Sequence, residues 1–114
     1  MRSIRHCFTL DLKNSSELIS EYKAYHQQVW PEIIESIKES GIITMDIYLV
    51  ENRLFMIMDV DESFSFERKS KSDANNPKVQ EWETLMGKYQ QAFPTSKPNE
   101  KWRLMERIFQ LDEK

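Results

Sequence analysis

The sequence predicts an α+β fold whose elements follow the order β-α-β-β-α-β, and three patterns lead to this prediction. Apolar and polar residues alternate near both ends of the chain, as they do in half-buried strands. Two apolar segments in the middle are separated by a short turn, as in a hairpin. Apolar residues three and four positions apart lie between these strands and indicate amphipathic helices. This order is that of the ferredoxin-like fold, an antiparallel sheet with its helices on one face.

The first half of the chain contains a strand, a helix and a proline-initiated helical segment. Residues 4–12 are the first predicted strand, because apolar side chains occupy every second position. Asn14 is the expected N-cap of the following helix, with Glu17 completing a capping box. Pro31 lacks a backbone N–H, so we expect the helix to kink there or a new one to begin. Gly41 is the expected C-terminal cap of that segment.

The second half begins with two strands, predicted over residues 42–50 and 53–60. Residues 64–72 are ambiguous and allow a short helix. The pair 76–77, Asn-Pro, then marks the start of another helix. Its predicted apolar stripe consists of Val79, Trp82, Met86, Tyr89 and Phe93. Residues 103–111 alternate again and are predicted to close the chain as a strand.

The predicted strand 53–60 is apolar on both faces of the sheet. Leu54 and Met56 lie on one face, and Phe55 and Ile57 lie on the other. Helices on one side of the sheet leave the second apolar face uncovered. The simplest cover is the same sheet of a second subunit, so we predict a face-to-face homodimer.

Composition narrows the class of protein. A chain of 114 residues fits one domain, 1–114, and a net charge of −3 provides no basic surface for nucleic acid. Cys7 is the single cysteine, which suits a reducing compartment. The N-terminus lacks a secretory signal and no segment approaches a membrane span, so we expect a cytoplasmic protein. His6 and His26 fall in different predicted elements, and no cluster has metal-ligand spacing, so we expect no metal.

The residues best suited to chemistry lie on the first helix. Tyr22 and His26 are four positions apart, so their side chains are neighbours on one helix face. A phenol beside an imidazole combines a hydrogen-bonding group with a residue type that exchanges protons near neutral pH. Trp30 and Pro31 break the helix one turn later, and such breaks often line pockets. The alternative is that Tyr22 and Tyr25 are core aromatics and His26 is a half-buried histidine with satisfied hydrogen bonds.

Trp82 and Glu83 form a second candidate pair. An indole face can hold the apolar face of a sugar, and an adjacent carboxylate can accept hydrogen bonds from hydroxyl groups. Trp82 is also in phase with Val79 and Met86, however, so the alternative is a core tryptophan beside a solvated glutamate.

The segment from Tyr22 to Glu32 resembles the Tyr-x-x-x-His…Trp-Pro-Glu signature of the L-rhamnose mutarotase family, and the resemblance continues over nearly the whole chain. It implies a dimer of ferredoxin-like subunits, a dimeric α/β barrel, that needs no cofactor. It also implies that His26 is the proton donor and that Tyr22 and Trp82 bind the sugar. Trp30, at the helix break, is expected to line the same pocket.

Two positions depart from the family pattern. Met45 occupies the place of a substrate-binding tyrosine on the second strand, and Glu83 replaces the second member of a Trp-Trp pair. Both are sugar-contacting positions, so the departures bear on the choice between L-rhamnose and L-fucose more than on the chemistry.

The expected reaction is mutarotation, in which a base and an acid open the sugar ring and close it on the other face. It requires general acid–base groups and no covalent intermediate. The alternative is a non-catalytic small-ligand-binding protein or an oxygenase-type dimeric α/β-barrel protein, because one fold hosts many functions. A binding protein would hold the sugar without speeding anomer exchange.

Overall fold

The computed structural model describes residues 3–98 and 100–111, in which helices pack against one antiparallel sheet. The elements in chain order are β1 (Ile4–Leu12), α1 (Ser16–Tyr25), α2 (Pro31–Glu39), β2 (Ile42–Val50), β3 (Arg53–Val60), α3 (Phe66–Ala74), α4 (Pro77–Gly87), β4 (Gln90–Gln91) and β5 (Arg103–Leu104). The predicted α+β class is confirmed. No helix in these ranges has the length and apolar character needed to cross a bilayer.

The sheet is built on β1 and β3 at its centre. The strand order is β2-β3-β1-β4, and the short β5 also pairs with β1. The β1–β3 register runs from Ile4 opposite Val60 to Asp11 opposite Arg53. The predicted hairpin between β2 and β3 is confirmed, with Glu51 in the left-handed region at a φ of 55°.

Successive side chains along each strand point to opposite sides of the sheet, which gives it a core face and an open face. On the core face, Leu10, Leu12 and Leu54 are at most 2% exposed and lie beneath the helices. We call the opposite side, with Cys7, Thr9, Phe55 and Ile57, the open face. These four side chains are half-buried, and none belongs to a core cluster formed by the described helices. The uncovered second face expected from the sequence is therefore present.

The helix boundaries follow local signals, with one correction. The N-cap of α1 is Ser15, whose side chain accepts a hydrogen bond from the Leu18 N–H, and the expectation of Asn14 was one residue too early. Pro31 is the first residue of α2, so a new helix begins there. Gly41 follows α2 with a φ of +100°, which confirms the expected glycine at that helix end.

The structure corrects two expectations in the second half of the chain. Helix α4 ends at Gly87, so Tyr89 of the predicted helical stripe lies in the turn that leads into β4. The predicted closing strand, residues 103–111, is reduced to β5, which pairs with β1 only opposite Phe8 and Thr9. The ambiguous segment contains a helix, α3, which Ser65 caps.

Candidate active site

The break between α1 and α2 brings aromatic rings from two parts of the chain together. The Tyr22 and His26 ring centroids are 4.5 Å apart, and the His26 and Trp82 centroids are 5.7 Å apart. Trp30 lies 5.1 Å from Trp82, and Tyr25 lies 6.3 Å from it. We call these five residues the aromatic cluster. Of the sequence-predicted site residues, Tyr22, His26, Trp30 and Trp82 are thus in contact.

The end of α1 fixes the proton position on the His26 ring. The His26 backbone N–H bonds to the Lys23 and Ala24 carbonyls, which leaves the Tyr22 carbonyl free for the side chain. The Nδ1 atom lies 2.8 Å from that oxygen, and because a carbonyl only accepts, Nδ1 must donate a hydrogen to it. In the neutral ring, Nε2 therefore carries the lone pair. The nitrogen that faces away from α1's backbone can act as the base.

Tyr22 lies under this histidine with its phenol in a protected environment. The residue is 4% exposed, and burial raises the pKa of its hydroxyl above the ordinary value, so it stays neutral near pH 7. The Gln90 side chain, at the start of β4, donates a hydrogen bond to the Tyr22 oxygen over 3.4 Å. The phenol can therefore keep its own hydrogen for a second acceptor such as a sugar oxygen.

Trp82 is both a member of the core and the wall against which His26 lies. It is 9% exposed and belongs to the main core cluster. His26, Tyr25 and Trp30 meet its ring plane at angles of 69°, 88° and 70°. These edge-on contacts hold the indole in one orientation.

Met45 lies on the core face of β2, outside the aromatic cluster. It packs against a second core cluster formed by Ile42, Met58 and Val60. The structure therefore places Met45 under the helices, in a different cluster from the one that contains His26.

Glu83 follows Trp82 on α4 and faces a group of charged residues. Partial burial raises the pKa of its carboxyl, and the negative charge of Asp73 on α3 adds to this increase. Lys101 and Lys69 act in the opposite direction. Glu83 thus lies in a polar region between α3 and the segment before β5, next to Trp82 but outside the aromatic cluster.

The sequence did not lead us to Glu21 and Tyr89, two residues that meet beside α1. Tyr89 was expected as part of a helical stripe, yet its hydroxyl donates a 2.9 Å hydrogen bond to Glu21. Glu21 and Tyr25 are four positions apart, as Tyr22 and His26 are, and this spacing could have identified Glu21.

Within residues 3–98 and 100–111, no three His, Cys, Asp or Glu side chains are grouped to hold a metal ion.

A small α+β protein with one helix-covered sheet face, a neutral phenol and an imidazole with an accepting Nε2 is equipped for acid–base chemistry on a small hydroxylated ligand. The chain belongs to the L-rhamnose mutarotase family, because residues 5–111 match the family model with that description.

Individual relatives agree with this membership. The chain is 41% identical to the L-fucose mutarotase of Xanthomonas campestris pv. campestris, over 96% of this chain and 89% of that protein. It is 31% identical to the L-rhamnose mutarotase of Flavobacterium johnsoniae, over 96% of this chain and 97% of that protein. The crystal structure of an L-rhamnose mutarotase from Formosa agariphila is similar with a TM-score of 0.71, at 25% identity, over 96% of this chain and 99% of that one.

Proposed function

We propose that the protein is a mutarotase that interconverts the α and β anomers of a 6-deoxyhexose, with L-fucose as the preferred sugar over L-rhamnose. The reaction class is that of an isomerase acting on carbohydrates. The observation that carries the proposal is the contact of Tyr22, His26 and Trp82 around a free Nε2. The 41% identical relative named L-fucose mutarotase supports the choice of sugar.

His26 and Tyr22 have complementary roles in this mechanism. The Nε2 atom of His26 removes the proton of the anomeric hydroxyl, and the imidazolium that forms delivers this proton to the ring oxygen. The C1–O5 bond breaks and yields an aldehyde and a hydroxyl on C5. Rotation about C1–C2 and closure with the reverse proton transfers give the other anomer. The Tyr22 O–H donates to a sugar oxygen and orients it, because burial keeps this phenol neutral.

Trp82, Trp30, Met45 and Glu83 contribute to sugar binding in this proposal. Trp82 stacks on the sugar, since an indole face suits the C–H face of a pyranose. Trp30 lies 5.1 Å from it and encloses the same side. Glu83 recognises a hydroxyl that differs in orientation between L-fucose and L-rhamnose, and Met45 provides an apolar contact where the family has a tyrosine.

A homodimer of ferredoxin-like subunits, forming a dimeric α/β barrel in the cytoplasm, is the proposed assembly. The strand order β2-β3-β1-β4 supports the ferredoxin-like arrangement. The open face supports the dimer, because its half-buried apolar centre is flanked by two cross-strand ion pairs, Arg5–Asp59 at 2.9 Å and Arg53–Asp11 at 2.7 Å. Two copies of this face can pack together so that the apolar centre excludes water and the ion pairs lie at the periphery of the interface.

The test is NMR exchange spectroscopy between the anomeric signals of L-fucose and of L-rhamnose, with and without protein. We expect faster exchange, with L-fucose ahead, and a loss of about 10²–10⁴-fold in His26→Ala, the usual worth of a general acid–base group. The matched control is His6→Ala, because His6 lies on β1 against Phe66, with ring centroids 4.9 Å apart, and outside the aromatic cluster. We expect His6→Ala to keep the rate.

Full exchange in a folded His26→Ala variant would refute the catalytic assignment. Sugar binding without any acceleration by the natural protein would instead favour the non-catalytic binding protein. A preference for L-rhamnose would leave the chemistry in place and reject the proposed role of Glu83.

A further inference from the structure

Helix α1 presents a second set of functional groups beside the pair formed by Tyr22 and His26. Tyr25 lies four residues after Glu21, and Gln28 lies three residues after Tyr25. This spacing places the three side chains on one side of α1 and of the turn that follows it. Together with Trp30 and Tyr89 they line an open cleft of about 710 Å³. This volume falls within the range of about 300–1,000 Å³ that is usual for small-ligand sites. Neither Tyr22 nor His26 lines it.

A buried phenol holds the carboxylate of this cleft in place. The Tyr89 side chain is 3% exposed, and its hydroxyl donates to Glu21 Oε1 over 2.9 Å. Burial and the Glu21 acceptor raise the pKa of Tyr89 to about 12, so the phenol remains a donor at neutral pH. In the described part of the chain, no hydrogen bond involves Glu21 Oε2 or the Gln28 side-chain amide. Both groups are therefore available to ligand hydroxyls.

The remaining walls are aromatic. Tyr25 and Trp30 are half-buried and present their rings beside the polar groups. A combination of ring faces with a carboxylate and an amide suits a ligand that has both C–H faces and hydroxyl groups. Among the described residues that line the cleft, Glu21 is the charged one. Two lysines lie near these rings, with Lys78 Nζ 5.5 Å from the Trp30 ring centroid and Lys88 Nζ 5.8 Å from the Tyr89 ring centroid.

We propose that this cleft is a second carbohydrate site, which binds a neutral monosaccharide or polyol next to the site around His26. The Glu21 carboxylate favours ligands whose hydroxyls donate hydrogen bonds, because a carboxylate only accepts them and repels an anion placed directly against it. Tyr25 and Trp30 contact Trp82, so a ligand in the cleft would rest on the same rings that support the catalytic side.

The test is a methyl-detected NMR titration that uses Ala24 and Val29, two cleft-lining residues, as reporters. The ligands are L-fucose and its methyl α-glycoside, which cannot open its ring. We expect saturable shifts of both methyl signals with each sugar and none with the anionic aldonate of L-fucose. Glu21→Gln should weaken binding about tenfold, because the hydrogen-bond acceptor loses its charge. The matched control, Glu17→Gln in the first turn of α1, should leave the affinity for the sugar unchanged.

Saturable shifts that weaken in Glu21→Gln, with anomer exchange retained in that variant, would support the second site. Methyl signals that stay fixed, or that shift equally in Glu21→Gln, would overturn it. Loss of anomer exchange in Glu21→Gln would also overturn it, because the cleft would then belong to the catalytic site. If the natural protein failed to speed exchange while the shifts persisted, the proposed function would fail and the second site would stand.

Discussion

The hydrogen bond from His26 Nδ1 to the Tyr22 carbonyl links the end of a helix to a protonation state. In a continuous helix that carbonyl would accept the backbone N–H of residue 26. Helix α1 ends one residue earlier, and the His26 N–H bonds to Lys23 and Ala24 instead. The carbonyl is then available to the imidazole, which selects the tautomer with a free Nε2. The tautomer thus follows from where the helix stops.

Tyr89 allows a test of the buried hydrogen bond to Glu21. We expect ultraviolet titration of the natural protein to show one tyrosine that ionises near pH 12. Because the folded-state pKa lies above the ordinary value of 10.0, the contribution to stability is full below pH 10 and is lost as the pH rises toward 12. Tyr89→Phe should remove this late ionisation, and Tyr48→Phe, at a side chain that is 58% exposed, should not. An unchanged late phase in Tyr89→Phe would contradict the assignment.

Two short signals determine the helical elements that carry the site. Ser15 satisfies a free N–H at the start of α1, and Pro31 sets the start of α2. Between them lie the five residues 26–30, which include both His26 and Trp30. A continuous helix would place these two side chains four residues apart on one face. With the break, Trp30 and His26 both contact Trp82 from α4, and His26 also lies over Tyr22.

The cap of α1 gives a prediction at the level of this element. Ser15→Ala should lower the free energy of unfolding by about 1 kcal/mol, because the Leu18 N–H loses its acceptor. Asn14→Ala is the matched control, since Asn14 lies one residue outside the cap and is exposed, and it should change stability by less than about 0.5 kcal/mol. Urea denaturation followed by circular dichroism measures both. A larger effect at Asn14 would restore the original expectation for the cap.

Among the residues that the structure describes, two apolar regions have no packing partner within the single chain. One is the centre of the open face, and the other is the segment after β5. In that segment Ile108, Phe109 and Leu111 are 90%, 75% and 84% exposed. Exposed apolar surface of this kind commonly marks an interface, and both regions agree with the proposed homodimer.

The dimer is tested by a charge on the open face. Ile57→Lys should shift the protein from dimer to monomer in analytical ultracentrifugation. The reason is that the dimer would bury the lysine ammonium between the open faces of the two subunits without a partner charge. Ile34→Lys is the control, at a side chain of α2 that is already 40% exposed. It should leave the sedimentation coefficient unchanged. A natural protein that sediments as a monomer at all concentrations would contradict the proposed assembly.

The sequence by itself determined the α+β class, the three long strands, the helix break at Pro31 and the turn at Gly41. These features depend on local rules, namely period-two alternation, the missing N–H of proline and the positive φ that glycine tolerates. It also determined that Tyr22 and His26 are neighbours, because a spacing of four brings side chains together on any helix. The family signature lies in the same short segment, so it too was readable locally.

Only the tertiary structure decided which faces meet. The contact of Trp82 with His26, and the hydrogen bond of Tyr89 to Glu21 across 68 positions, depend on how α4 packs against α1. The closing strand failed for a related reason. Alternation over 103–111 defines two faces but does not determine how far the segment pairs with β1, because the backbone groups of a strand bond to another strand rather than to itself. Local periodicity fixes the faces of each element, whereas their partners are chosen by packing among distant segments.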